Sequence, residues 1–122
     1  MNATPSILIT DDDRAFRETL HSVFAPRGFS THLAADGEEA VRIVQSERIH
    51  LVLMDFHMPR LSGLETIAAV RQVNVEVPCV LISAGIDDAI RRKAAEADVY
   101  EILEKPVRLD VVTSVVADAF RR

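Results

Sequence analysis

Short apolar runs alternate with amphipathic segments along the chain, and this alternation restricts the fold more than any other feature of the sequence. Residues 7–9, 51–54 and 79–82 are all apolar. Runs of only a few apolar residues are typical of strands that are buried on both faces, as in a parallel sheet. The more polar segments 31–34 and 100–103 predict two further strands nearer the rim of the same sheet.

The intervening segments carry apolar residues at helical spacing. The first stripe, at positions i, i+4, i+7 and i+8, consists of Phe16, Leu20, Val23 and Phe24, and it ends at Pro26 and Gly28. Similar patterns lie within 40–44, 64–68, 89–97 and 109–120. Five strands that alternate with five helices need crossover connections, so the sequence predicts an α/β fold whose parallel sheet is covered on both faces.

Length and composition indicate one domain of ordinary globular type. The 122 residues fit a single domain, which we assign to 6–122 with a short N-terminal tail at 1–5. Fourteen Lys and Arg against 19 Asp and Glu give a net charge of −5, which argues against nucleic-acid or anionic-membrane binding by this domain. A single cysteine excludes an internal disulfide, and no apolar run approaches the ~20 residues that span a bilayer. We therefore expect a cytoplasmic protein.

Acidic residues stand where two of the predicted strands end. Asp11, Asp12 and Asp13 follow the first strand, and Asp55 ends the third. If these strands are neighbours, Asp11, Asp12 and Asp55 crowd together at the carboxyl edge of the sheet, where two carboxylates ~4 Å apart repel by about 4 kcal/mol. Such a cluster takes up protons or recruits a hard cation, above all Mg²⁺. Asp13 is better explained as the cap of the following helix.

Two other strand ends carry groups suited to a phosphate. Ser83 follows the fourth strand and supplies a hydroxyl, and Lys105 follows the fifth and supplies a mobile positive charge. Pro106 permits a cis peptide bond that could direct this lysine. Taken singly, a turn serine and a solvated surface lysine remain the simpler interpretations. Together with the carboxylates, they predict a site for phosphate and magnesium.

With these motifs in order, the sequence resembles the response-regulator receiver domain of two-component signalling over nearly its whole length. The matching segments are 7–13, 53–59 with Leu61 and Gly63, 82–84, and Lys105 with Pro106. The resemblance implies a flavodoxin-like, doubly wound, five-stranded parallel sheet with strand order 2-1-3-4-5 and five helices. It also implies a phosphoacceptor, and Asp55 holds that position. The donor would be a phosphohistidine on a sensor histidine kinase or a phosphotransfer protein.

The resemblance assigns the remaining roles residue by residue. The magnesium ligands implied are Asp12, Asp55 and the backbone carbonyl of His57, with Asp11 acting mainly through a bound water. Ser83 would donate a hydrogen bond to the phosphoryl group beside the backbone N–H of Ala84. Lys105 would neutralise a phosphoryl oxygen, and the bond between Lys105 and Pro106 is expected to be cis.

The chain departs from the family pattern before the fifth strand and shortly after Asp55. Ile102 stands three residues before Lys105, where the family usually has Tyr or Phe, so use of an aromatic switch stays open, although Ser83 can still move. Tyr100 is expected on the same strand face as Ile102 but elsewhere along it. Asp98 replaces a usual glycine and is expected to tolerate a left-handed backbone. His57 either tunes hydrolysis of the phosphoryl group or is an exposed loop histidine.

Several other residues favour ordinary structural roles. Cys79 is predicted to be a core residue. The scattered histidines His21, His32 and His50 have no metal-ligand spacing, and the basic clusters at 91–93 and 121–122 favour solvated helix faces. Val111 and Val115 widen the apolar stripe of the last helix; we expect burial, with a partner or dimer face as the alternative.

The preferred function is a phosphorylation-controlled switch that catalyses its own phosphorylation and dephosphorylation and is not an enzyme acting on a separate substrate. Its partners would be the phosphodonor and an output domain or target protein, with a homodimer left open. One alternative is an aspartyl-phosphate hydrolase, but such enzymes need a second Asp where His57 stands. The other is an interaction module that never turns over phosphate, which Ile102 favours and the intact charged set opposes.

Overall fold

The computed structural model describes residues 4–121 and contains a five-stranded parallel sheet with the order β2-β1-β3-β4-β5. The strands are β1 (Ser6–Thr10), β2 (Ser30–Ala34), β3 (Leu51–Asp55), β4 (Cys79–Ser83) and β5 (Glu101–Glu104). All neighbouring strands are parallel, which confirms the predicted doubly wound sheet and strand order. Residues 1–3 of the expected tail and Arg122 lie outside the described residues.

A helix follows each strand. The helices are α1 (Arg14–Phe24), α2 (Gly37–Ser46), α3 (Gly63–Val73), α4 (Asp88–Glu96) and α5 (Leu109–Phe120), and a single 3₁₀ turn, Ala25–Arg27, follows α1. Asp13 caps α1 by accepting the backbone N–H groups of Ala15 and Phe16, as its position in the sequence predicts. None of the helices within residues 4–121 is long and apolar enough to cross a membrane.

The core has two layers, one on each face of the sheet. Alternate residues of the strands separate them: Leu8 of β1 packs toward α2, α3 and α4, while Ile7 and Ile9 pack toward α1 and α5. Every residue of β3 and β4 is buried, whereas β2 and β5 are only partly buried. The two more polar segments therefore are rim strands, as predicted, and the central strands β1 and β3 provide a rigid base for the loops at their carboxyl ends.

Two expectations about packing are wrong. Val111 is 39% exposed, because the buried stripe of α5 consists of Val112, Val116 and Ala119; Val115 is half-buried against the same cluster. Tyr100 packs toward the α1 and α5 layer, whereas Ile102 packs toward the opposite layer. Tyr100 precedes β5, which begins at Glu101. The alternation of side chains along a strand therefore does not place Tyr100 on the same face as Ile102.

Other local expectations are confirmed. Asp98 has a φ of 56°, a left-handed conformation that Asp adopts more readily than most residues. Arg71 of α3 holds the chain there by donating to the carbonyls of Ala97 and Asp98. Cys79 is fully buried, and burial raises the pKa of its thiol to about 11, so it is a core residue.

Candidate functional site

The carboxyl ends of β1 and β3 bring three aspartates together. β1 and β3 are hydrogen-bonded neighbours with Thr10 opposite Met54, so the residues at the end of each strand emerge side by side. One carboxylate oxygen from each of Asp11, Asp12 and Asp55 lies within 4.8 Å of the other two. The cluster that the sequence predicts at this edge is therefore present, and Asp13 lies apart from it as the α1 cap.

Asp11 is the most firmly held member of the cluster. Its carboxylate accepts the backbone N–H of Asp13 at 2.8 Å, and its own N–H donates to the carbonyl of Ala34 at 3.1 Å. Its carbonyl accepts a hydrogen bond of 2.6 Å from the guanidinium of Arg17 on α1. Asp11 and Asp55 are 1% and 4% exposed, whereas Asp12 is open to solvent. The cluster thus has a buried, oriented base and one accessible carboxylate.

Lys105 reaches into this cluster from the end of β5. Its Nζ donates to Asp11 Oδ2 at 2.9 Å and lies 3.6 Å from Asp55 Oδ1. The ammonium also lies 4.7 Å from the centroid of the Phe16 ring. The Lys105 backbone N–H donates to the carbonyl of Ser83 at 2.8 Å, and its bond to Pro106 is cis, as the resemblance implies.

The pKa values of Asp55 and of the adjoining Lys105 are both raised at this site. Burial raises the pKa of Asp55 to about 6, and the negative charge of Asp11 adds to this effect; Lys105 and the backbone N–H of His57 oppose it. Burial by itself lowers the pKa of Lys105, but its hydrogen bond to Asp11 and the charges of Asp11 and Asp55 outweigh burial and raise that pKa. Lys105 therefore remains an ammonium, and Asp55 is ionised at neutral pH at an energetic cost.

The donor set of this cluster suits a hard divalent cation. It contains only carboxylate oxygens, and one ammonium against three carboxylates leaves an excess of two negative charges. Because Asp12 is exposed, a cation held there could keep several waters, as Mg²⁺ prefers. The residues present therefore fit a magnesium ion.

Ser83 and Ala84 lie at the same edge, but Ser83 does not contact the carboxylates. Ser83 is buried, and its hydroxyl donates to the carbonyl of Gly85 at 2.7 Å and accepts the Gly85 N–H at 3.3 Å. Ala84 and Gly85 are exposed. The hydroxyl is thus engaged within its own turn, and it must exchange partners before it can donate to a group bound at Asp55.

His57 and Ile102 lie at the margins of the site. The His57 side chain is exposed, and its ring meets the ring of Phe56 edge-on at 4.8 Å. Ile102 is half-buried against the α2, α3 and α4 layer. Two of the remaining histidines form hydrogen bonds away from the acidic cluster. His50 Nδ1 accepts the Ser6 N–H, and His21 Nδ1 contacts the Thr31 hydroxyl.

Two residues near the cluster are not identifiable as site residues from the sequence. The sequence places Phe16 only in the apolar stripe of α1, and nothing in that pattern shows that its ring faces Lys105. Gly63 belongs to one of the matching segments, but its sequence position alone does not predict a contact with Asp55. A Cβ at Gly63 would lie 2.4 Å from the Asp55 carbonyl oxygen and 2.9 Å from Phe56 Cα, so α3 can begin this close to Asp55 only with glycine there.

Comparisons with known proteins find curated relatives of this chain. The response regulator MprA of Mycolicibacterium vanbaalenii is 34% identical over 116 residues, which are 95% of this chain and 50% of that protein. MprA of Mycobacterium avium is also 34% identical to this chain, and the match covers 51% of that protein. The chain therefore spans about half the length of the curated relatives it matches.

Two solved structures show the same fold. Chemotaxis protein CheY4 of Vibrio cholerae superposes with a TM-score of 0.90 at 22% identity, covering 96% of this chain and 99% of CheY4. A Burkholderia pseudomallei response regulator with a phosphorylated aspartic acid and a calcium ion gives a TM-score of 0.85 at 21% identity, covering 96% of this chain and 69% of that one.

A family model described as the response regulator receiver domain matches residues 7–117, which is most of the chain. The order of the strands in the sheet agrees with that match. This chain therefore belongs to the response regulator receiver domain family, the receiver module of two-component signalling.

Proposed function

We propose that this receiver domain takes part in a phosphorelay and accepts a phosphoryl group on Asp55 in a magnesium-dependent reaction. The main support is the position of the Lys105 ammonium, 2.9 Å from Asp11 and 3.6 Å from Asp55 in a cluster of three carboxylates. Opposite charges at this spacing prepare the site for a phosphoryl group, because phosphoryl transfer needs positioning and charge neutralisation more than covalent chemistry from the protein.

The transfer step forms one bond and breaks one. A carboxylate oxygen of Asp55 attacks phosphorus in line with the departing nitrogen of a phosphohistidine, the P–N bond breaks, and the imidazole leaves as Asp55 becomes an acyl phosphate. The donor would be carried by a sensor histidine kinase or a phosphotransfer protein. Asp55 is 4% exposed, which limits the access of water to its carboxylate.

The neighbouring residues would bind the new phosphoryl group. Asp11, Asp12, Asp55 and the backbone carbonyl of His57 would hold Mg²⁺, which neutralises phosphoryl charge when bound. Lys105 would pair with one phosphoryl oxygen. The backbone N–H of Ala84, an exposed residue, would donate to another, and Ser83 would donate its hydroxyl to the same group after leaving Gly85.

The Ser83 exchange would convert phosphorylation into a signal. When the hydroxyl leaves the Gly85 carbonyl, the exposed turn after β4 loses the bond that holds it, and the turn's surface changes. That change would alter contacts with an output domain, a target protein or a second copy of the chain. We assign this switch to 6–122 and to the cytoplasm, and we propose no direct contact with nucleic acid or membrane, because the chain carries a net charge of −5.

The test is incubation of the purified chain with Mg²⁺ and acetyl phosphate, followed by intact mass spectrometry. We expect an adduct of one phosphoryl group that is absent in Asp55→Asn and retained in Asp13→Asn, a matched control because Asn also caps helices. Sustained release of phosphate over many turnovers would instead indicate a hydrolase. No adduct under any condition would indicate an interaction module.

A further inference from the structure

Phe16 presents the face of its ring to the ammonium of Lys105. The Nζ atom lies 4.7 Å from the ring centroid, within the range of a cation–π interaction. The same ammonium contacts Asp11 and Asp55. Lys105 therefore has two kinds of partner, the carboxylates of the acidic cluster and an aromatic ring that belongs to no proposed ligand set.

The Phe16 ring stands on a firmly held part of the fold. Its residue lies in the first turn of α1, where its backbone N–H donates to the Asp13 cap at 3.4 Å. The side chain is half-buried against the α1 and α5 layer. The Lys105 side chain is 24% exposed, so its contact with the ring is partly shielded from solvent, which strengthens a cation–π interaction.

We propose that Phe16 is a positioning residue for Lys105 in phosphoryl transfer, an inference that rests on the function proposed above. Asp11 and Asp55 change as partners of the lysine during the reaction, because both are also proposed to serve Mg²⁺ and the Asp55 carboxylate gives up its charge when it becomes an acyl phosphate. The Phe16 ring has no such competing role. It keeps a long, flexible side chain directed at the phosphoryl oxygens while its carboxylate partners change.

Simple packing is the alternative role of Phe16, and the two roles respond differently to fluorine. Phe16→Leu removes the ring and alters the packing together, so it cannot separate them. Site-specific incorporation of mono-, di- and trifluorophenylalanine at position 16 keeps the shape nearly constant while it progressively weakens the negative face of the ring. A packing role predicts equal behaviour across this series, and a cation–π role predicts a graded loss.

The experiment measures the rate of adduct formation with acetyl phosphate and saturating Mg²⁺ across this series. We expect a stepwise fall that reaches roughly two- to fivefold with trifluorophenylalanine and Phe16→Leu. Trifluorophenylalanine at Phe120, an exposed residue at the end of α5, is the matched control and should leave the rate unchanged. Equal rates across the series at position 16 would overturn the proposal while the wild-type adduct still upholds the proposed function.

A second readout needs no phosphoryl transfer. Protons that lie over the face of an aromatic ring resonate upfield, so the ε-methylene protons of Lys105 should be shifted upfield in the NMR spectrum of Asp55→Asn, which forms no adduct. When Phe16→Leu is added, the chemical shifts of the Lys105 ε-methylene protons should move toward those of Lys93, an exposed lysine of α4. Identical Lys105 shifts with and without the Phe16 ring would overturn the proposal independently of phosphorylation.

Discussion

The β1–β3 side of the site and its β4–β5 side are built in different ways. On the first side Asp11 and Asp55 are almost fully buried, and Asp11 is fixed by hydrogen bonds from both α1 and its own loop. On the second side the Ser83 hydroxyl bonds within its own turn, where Ala84 is exposed, and Ile102 is half-buried.

This difference separates the chemistry of the site from its response. Charges that must be in place before transfer stand on buried central strands, where movement would disrupt the core. The groups that would respond are the Ser83 hydroxyl, which is bonded to the exposed turn after β4, and Ile102, which lies on a rim strand. Substitutions on the first side should therefore change rates and stability strongly, and those on the second side should change them weakly.

The largest effect is expected from Lys105, which joins the two sides. Lys105→Met keeps most of the side-chain bulk but removes the charge that we propose to neutralise the phosphoryl group, so adduct formation with acetyl phosphate should slow by about a hundredfold or more. Lys93→Met, on the exposed face of α4, is the control and should react like the wild type. A decrease of only a few fold would mean that the β1–β3 side does not depend on this lysine.

The ionised Asp55 should destabilise the metal-free fold in a pH-dependent way. Its pKa is raised to about 6 from 3.8, so the folded chain binds this proton more tightly than the unfolded chain does. Below pH 3.8 both states are protonated and there is no penalty; the penalty grows as the pH rises toward 6 and is complete above it. Asp55→Asn should thus raise the free energy of unfolding by about 1–3 kcal/mol at pH 7, with little change at about pH 3.5.

Urea denaturation in the presence of a chelator measures this difference. Asp13→Asn serves as the control, because its carboxylate lies outside the cluster. Saturating Mg²⁺ should stabilise the wild type more than Asp55→Asn. The difference between their free energies of unfolding should therefore become smaller. If Asp55→Asn is no more stable than the wild type at pH 7 without metal, the ionised Asp55 does not destabilise the fold.

The sequence predicts the first side of the site better than the second. Asp11, Asp12 and Asp55 could be placed together because parallel strands end at one edge, and that depends only on strand order. The bond between Ser83 and Gly85 depends on the path of one turn, and the contact of Phe16 with Lys105 depends on where the β5–α5 loop lies. Periodicity identifies the buried face of a helix, but it does not identify what a residue at the rim of that face contacts.

His57 tests whether the exposed surface beside the cluster influences the phosphorylated state. Its side chain is exposed and rests on Phe56, next to the backbone that contacts Asp55. We expect His57→Ala to change the lifetime of the aspartyl phosphate severalfold by altering access of water, while adduct formation stays near the wild-type rate. The lifetime is followed by intact mass after removal of the donor, with His32→Ala on β2 as the control. An unchanged lifetime would leave His57 as an ordinary loop residue.

The smallest effect is expected from Ile102→Phe, which restores a ring where the family usually has one. A surface pocket of about 200 Å³ lies beside Ile102 between α4 and β5, so the larger side chain has room, and the free energy of unfolding should change by less than about 1 kcal/mol. Adduct formation should stay within about twofold of the wild type, because an uncharged side chain at position 102 adds nothing to charge neutralisation at the phosphoryl group. Ile102→Leu is the control, because it changes the side chain at this position without adding a ring. A loss of rate comparable to that of Lys105→Met would mean that the two sides of the site are coupled before phosphorylation, which the separate packing of Ile102 and the carboxylates argues against.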